Sequence, residues 1–230
     1  MRGPALLVLA CALVACRSPE PDHAERFKKA CDGGDAKDCF LLGVAYHNGR
    51  GVTVDQAKAA QFYQKACDGG EAKGCLHLGL AYANGRGVAQ DTAKADALYR
   101  KACEAGVASG CFTLGYAYQI GYGVAQDQVK AAQLYQKACD GGSREGYFQL
   151  GLAYAKGGGV PQDRAKAAQL YQRACDRGYA DGCLNLGLMY GNGNGVARDR
   201  TYAARLYQKA CDGGSTDGCK ALEELRRGAQ

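Results

Sequence analysis

In Tyr63-Gln64-Lys65-Ala66-Cys67-Asp68-Gly69-Gly70-Glu71-Ala72-Lys73-Gly74-Cys75, two cysteines stand eight residues apart across an Asp-Gly-Gly turn, and this module returns down the chain. The leading cysteine recurs at Cys31, Cys67, Cys103, Cys139, Cys175 and Cys211, an unbroken step of 36. Its partner recurs at Cys39, Cys75, Cys111, Cys183 and Cys219, and Tyr147 alone interrupts that second series. A period held without one insertion is the mark of a solenoid, in which each unit packs only on its neighbours. The 34 glycines of the 230 residues then mean a turn in every repeat and not disorder.

Within one unit the apolar spacing gives helices. Cys75, Leu78, Gly79 and Tyr82 fall at i, i+3, i+4 and i+7, which places them on one face of a first helix, helix A. Asn84-Gly85-Arg86-Gly87-Val88 ends it, because glycine accepts the left-handed conformation that closes a helix. Asp91 then stands at an N-cap position, and Ala95, Leu98, Tyr99 and Ala102 repeat the spacing on helix B. Gly79 returns as Gly43, Gly115, Gly151 and Gly187. A mid-helix glycine costs about 1 kcal/mol relative to alanine, so its recurrence predicts close approach of the partner helix. The array is expected to open with a lone helix B from Ala24 to Cys31, run through five A/B pairs, and close with a charged helix A from Thr216 to Arg227.

The N-terminus reads as an export signal. Met1-Arg2 precedes a short apolar run and then Leu13-Val14-Ala15-Cys16. That tetrapeptide looks like a bacterial lipobox, and the resemblance implies cleavage before Cys16 and lipidation of its thiol. An ordinary secretory signal cut near the same place is the competing reading. The expected organisation is a signal peptide over 1–15, a lipidated tether over 16–23, the solenoid over 24–227 with a half repeat at each end, and a tail at 228–230. Arg17 stands where an inner-membrane retention aspartate would, so outer-membrane attachment facing the periplasm or the cell surface is expected.

The cysteine count closes on this basis. Of 13, Cys11 leaves with the signal, Cys16 is lipidated, and Cys139 is left over beside five pairs: Cys31–Cys39, Cys67–Cys75, Cys103–Cys111, Cys175–Cys183 and Cys211–Cys219. Export implies an oxidising compartment and therefore disulfides. Zinc sites group four ligands locally at shorter spacing, so no metal is expected. Cys139 packs against Tyr147 on this reading, with a redox thiol or an interchain bridge as alternatives.

The pattern Leu-Gly-x-x-Tyr-x-x-Gly-x-Gly-Val-x-x-Asp-x-x-Lys-Ala-x-x-x-Tyr-x-Lys-Ala resembles the Sel1-like repeat, a relative of the tetratricopeptide repeat. With the cysteine pairs it looks most like the Helicobacter cysteine-rich proteins, over about residues 24–227. The family's tryptophan before the helix B tyrosine is replaced here by Phe62, Leu98, Leu134, Leu170 and Leu206. The resemblance implies an all-α fold, a right-handed α/α solenoid superhelix of 36-residue helix-turn-helix repeats, disulfide-stapled, with a concave groove. It also implies an alternative function, penicillin binding with weak β-lactamase-like hydrolysis of β-lactams.

The residues supply no known mechanism for that chemistry. Ser18, Ser109, Ser143 and Ser215 are followed three residues on by Pro21, Phe112, Gly146 and Gly218, where a serine enzyme of this type needs lysine. His23, His47 and His77 are scattered, and the Gly-x-Gly-Val turns follow helices and not the strand that a nucleotide-binding loop requires. The formal charge of +6 is spread over fixed repeat positions, which argues against nucleic acid. Binding is left. Opposite the constant face of helix A stand Leu41, His77, Thr113, Gln149 and Asn185, with Asn48, Asn84, Ile120, Lys156 and Asn192. These positions change while the scaffold positions do not. They are the expected lining of a groove for a protein, a peptide or a peptidoglycan-derived ligand, with a merely solvated face as the competing reading. No cofactor is expected, and contact with the membrane is expected through the lipid anchor only.

Overall fold

The computed structural model describes residues 22–227, and all of its regular structure is helical. The helices B are α1 (Asp22–Asp32), α3 (Gln56–Asp68), α5 (Thr92–Glu104), α7 (Gln128–Asp140), α9 (Arg164–Asp176) and α11 (Arg200–Asp212). The helices A are α2 (Ala36–Asn48), α4 (Ala72–Asn84), α6 (Ala108–Ile120), α8 (Arg144–Lys156), α10 (Ala180–Asn192) and α12 (Thr216–Arg227). Each helix packs on the one before and the one after it, and the result is the expected solenoid. The first helix begins two residues before its expected start, so Asp22 and His23, assigned to the tether, are helical. The signal peptide, Cys11, Cys16, the rest of the tether and the tail lie outside the described residues.

Local chemistry sets the helix boundaries. Asp55, Asp91, Asp127, Asp163 and Asp199 each take an extended backbone and accept a hydrogen bond from the amide three residues on, as an N-cap does. At the other end of helix A, Gly85 adopts φ 64°, and its N–H and that of Arg86 both donate to the Ala81 carbonyl. The second glycine of the turn has a different task. A methyl group built on Gly87 would stand 2.0 Å from the Gln56 carbonyl oxygen, so this turn rests directly on the start of the preceding helix B.

The core is a stack of like residues. Leu42, Leu78, Leu114, Leu150 and Leu186 are fully buried, and Ala66, Ala102, Ala138, Ala174 and Ala210 have no exposed surface. Tyr63, Tyr99, Tyr135, Tyr171 and Tyr207 of the B helices are buried, and so is Tyr118 of α6. The recurrent glycine now has its reason: a methyl on Gly79 would lie 2.7 Å from the Tyr99 ring. The helix A tyrosines other than Tyr118 depart from expectation. Tyr46, Tyr82, Tyr154 and Tyr190 are only half-buried, and Lys58, Lys94, Lys130 and Lys166 lie over the rings of Tyr46, Tyr82, Tyr118 and Tyr154. An aromatic face half in contact with a cation suits the edge of a layer better than its centre.

All five expected disulfides are present, each joining the end of a helix B to the following helix A, with Cα atoms 4.4 to 4.6 Å apart. Cys139 is the one free cysteine among the described residues. It belongs to an apolar cluster against which Tyr147 packs, and the Arg177 guanidinium sits 4.6 Å from the centre of that ring.

Candidate functional site

Successive A helices approach one another, α6 with α8 and α10 with α12, as they must on the inside of a curved array. Their shared face is therefore the concave one. Three crevices open along it at the same register. The first, about 150 Å³, is lined by His47, Gln56, Tyr63, His77, Leu80 and Arg86 among others. The second, about 110 Å³, takes Gln119, Gln128, Tyr135, Gln149, Leu152 and Lys156. The third, about 200 Å³, takes Lys156, Arg164, Tyr171, Asn185, Leu188 and Asn192. Each lies between two A helices over the helix B that joins them. The walls repeat and the polar lining changes.

Of the residues expected in a groove, His77, Gln149, Lys156, Asn185 and Asn192 line these crevices. Thr113 is half-buried at the register of His77 and donates its hydroxyl hydrogen to the Ser109 carbonyl. Asn48 and Asn84 are exposed on the same face, and the Asn84 amide donates to the Leu80 carbonyl. The two columns are unlike. Positions 48, 84, 120, 156 and 192 are exposed, whereas Leu41, His77, Thr113, Gln149 and Asn185 sit half-buried at the edge of the core. His77 departs furthest from a surface residue. Its ring packs 5.1 Å from Phe40 and 5.2 Å from Tyr63. Burial, then the His47 charge, then the Lys73 charge push its pKa below the ordinary histidine value.

The sequence reading missed a third column. Val44, Leu80, Tyr116, Leu152 and Leu188 stand between the other two, and Leu80, Tyr116 and Leu188 are 38%, 47% and 41% exposed. Residues at 77, 80 and 84 share one side of a helix, so α8 and α10 each offer an amide, an apolar group and a second polar group in line, and α4 offers an imidazole in place of the first amide. The step of 36 could have revealed this column, since it was open to the same comparison as the others.

Other chemistry has little to stand on. Among the described residues no three of His, Cys, Asp and Glu come together as metal ligands, and no helix is long and apolar enough to cross a membrane. The hydroxyls of Ser143 and Ser215 accept from the amides of Gly146 and Gly218 as helix caps. Burial and the neighbouring Asp140 charge push the Cys139 thiol up to about 12, so it stays protonated at neutral pH and is a poor nucleophile.

The profile of the Sel1 repeat matches residues 36–71, 72–107, 108–143, 144–179 and 180–215, one A/B pair each. Among solved structures, a protective antigen of uropathogenic Escherichia coli with an SLR fold shares 33% identity and a TM-score of 0.81 over 88% of this chain. The chain spans 43% of the length of that antigen. A Sel1 repeat protein from Oxalobacter formigenes shares 28% identity and a TM-score of 0.78, over 87% of this chain and 86% of its own. Cysteine-rich protein B of Helicobacter pylori shares 37% identity over 58% of this chain and 96% of its own, with a TM-score of 0.48. No curated protein matches the sequence.

Proposed function

The chain belongs to the Sel1 repeat family, and on that premise we propose that it is a cell-envelope scaffold holding a protein or peptide along the concave face of its A helices. Repeats of this family are a fold typically used for protein–protein interaction. One observation carries the reading for this chain: three crevices recur at one register with constant walls and different polar linings. A surface that is merely solvated has no reason to keep an apolar residue at this place in the first five A helices, exposed at Leu80, Tyr116 and Leu188. An extended peptide gains from such a face through apolar anchors at Leu80, Tyr116 and Leu188, with amides beside them for its backbone.

The envelope location rests on Leu13-Val14-Ala15-Cys16 and on the disulfides, which persist in an oxidising compartment. Incorporation of labelled palmitate that is lost in Cys16→Ser would support the anchor; unlabelled, freely released protein would remove it.

The scaffold reading is tested by photo-crosslinking in intact cells. A crosslinker at position 80, 152 or 188 should trap a discrete partner, and one at exposed Gln136 on a helix B should not. Equal trapping from both faces, or none from the concave face, would overturn it.

A further inference from the structure

The first crevice differs from the others in one respect. Among the described residues only two buried side-chain polar atoms lack a hydrogen-bond partner, the Tyr63 hydroxyl and Asp96 Oδ1. The other oxygen of Asp96 still meets Arg100 at 3.5 Å. Tyr63 has nothing, although its residue is 97% buried, being 3% exposed. Leaving a buried hydroxyl unpaired is costly, and native proteins rarely do so without a reason.

Comparison with the second crevice shows what is missing. There the equivalent Tyr135 hydroxyl donates to the Gln119 side-chain carbonyl, which stands at the register of His47. In the first crevice His47 is turned elsewhere. Its Nδ1 is 2.8 Å from Gln56 Oε1, and the Gln56 amide nitrogen donates to the His47 carbonyl at 3.1 Å. With the amide so oriented, Gln56 Oε1 is an acceptor and Nδ1 carries the hydrogen. The acceptor that pairs with tyrosine two repeats on is absent here.

Around the unpaired donor the lining holds the Arg86 cation, the Gln56 amide and two imidazoles, and no carboxylate. Arg86 is a permanent cation held by the turn that ends α4, and His47 and His77 face the same space. Lys73, close enough to act on His77, adds to the same sign. About 150 Å³ is room for one short side chain.

We propose that the crevice between α2, α3 and α4 is a carboxylate subsite, in which Tyr63 and Arg86 hold one acidic group of the partner peptide. The inference rests on the concave face being the binding surface. A carboxylate supplies acceptors for the Tyr63 hydroxyl and the Arg86 guanidinium together, and it is the negative charge that the site lacks. Charge-assisted hydrogen bonds of this kind are the strong ones. The group is either a Glu or Asp side chain or the chain-terminal carboxylate of the partner.

The test uses purified oxidised protein and small blocked probes followed by NMR of the histidine rings. N-acetyl-glutamate N-methylamide carries one side-chain carboxylate, its glutamine counterpart is the neutral isostere, and N-acetyl-alanine carries a terminal carboxylate. At millimolar concentration at least one of the two acids should shift the His47 and His77 resonances, and the neutral isostere should not. Which acid acts identifies the source of the group. Arg86 is exposed, so Arg86→Gln leaves the fold intact and should weaken binding about tenfold or more. Tyr63→Phe keeps the ring that packs on Gly43 and should weaken binding while leaving the free protein no less stable. Equal shifts from the acid and its neutral isostere, or binding untouched by both substitutions, would overturn the subsite. The scaffold reading would survive that result if crosslinking still traps a partner on the concave face. The absence of any trapped partner would remove the scaffold reading first.

Discussion

Gly79 and its equivalents show how a single residue can report on packing. The sequence could say that a glycine repeated inside a helix must be making room, and the space it makes is filled by the Tyr99 ring, 3% exposed and unable to move away. Gly79→Ala should therefore destabilise the protein by about 1–3 kcal/mol, against the helix-propensity gain alanine normally brings. A urea midpoint that rises instead would show the ring to be free to shift. His77 was less legible, because a lone polar residue on a helix carries no sign of what packs above it. Phe40 and Tyr63 cover it, and burial lowers its pKa from 6.5. The unfolded chain then takes up the proton more readily than the folded one, so stability falls as pH drops through about 6.5 and stops falling below the depressed folded value. His77→Asn should flatten that part of the stability profile between pH 7.5 and 5. The N-cap carboxylates of Asp55, Asp91 and Asp127, lowered chiefly by the amides they accept from, act in a separate window below about 3.8.

At the scale of the helix almost everything was legible, because the same signals are written five times. Cap aspartate, closing glycine and i, i+3, i+4 spacing placed most helix boundaries within a residue or two. What the pattern could not do was sort apolar residues into core and surface. Leu78 and Leu80 have the same chemistry and stand two residues apart, yet one is 1% and the other 38% exposed. Tyr46, Tyr82 and Tyr154 read as core for the same reason and lie at its edge under a lysine, whereas Tyr118 is buried. The sorting comes from the curvature of the array, which no single helix encodes. Leu80→Ser and Leu188→Ser, both well exposed, should accordingly change stability by no more than about 0.5 kcal/mol. Loss of the crosslinked partner in these variants, with unchanged thermal unfolding, would tie the exposed column to binding; retention of the partner would detach it.

Across the whole molecule, stability is a sum of repeat terms and neighbour terms, and the staples are not distributed evenly. Disulfides join α1 to α2, α3 to α4, α5 to α6, α9 to α10 and α11 to α12. The α7–α8 junction has Cys139 and Tyr147 instead. A bridge closing so short a loop contributes about 2–3 kcal/mol in the chain-entropy account, so this junction should open more easily than any other internal joint of its kind. Native-state hydrogen exchange should find the amides of Gly142 and Ser143, which donate to Cys139 and Ala138, less protected than those of Gly106 and Val107 at the stapled equivalent. Tyr147→Cys supplies the missing thiol at the repeat spacing. It should reduce the thiols titrated from residues 22–227, unfolded but unreduced, from one to none, and raise stability by about 2 kcal/mol after the lost Arg177 contact. Reduction of all bridges provides the control, since it removes the other staples and should erase the difference between the junctions. If the α7–α8 joint is as well protected as its neighbours while the bridges are intact, the packing of Tyr147 alone is worth a disulfide, and the array is held by its core more than by its covalent joints.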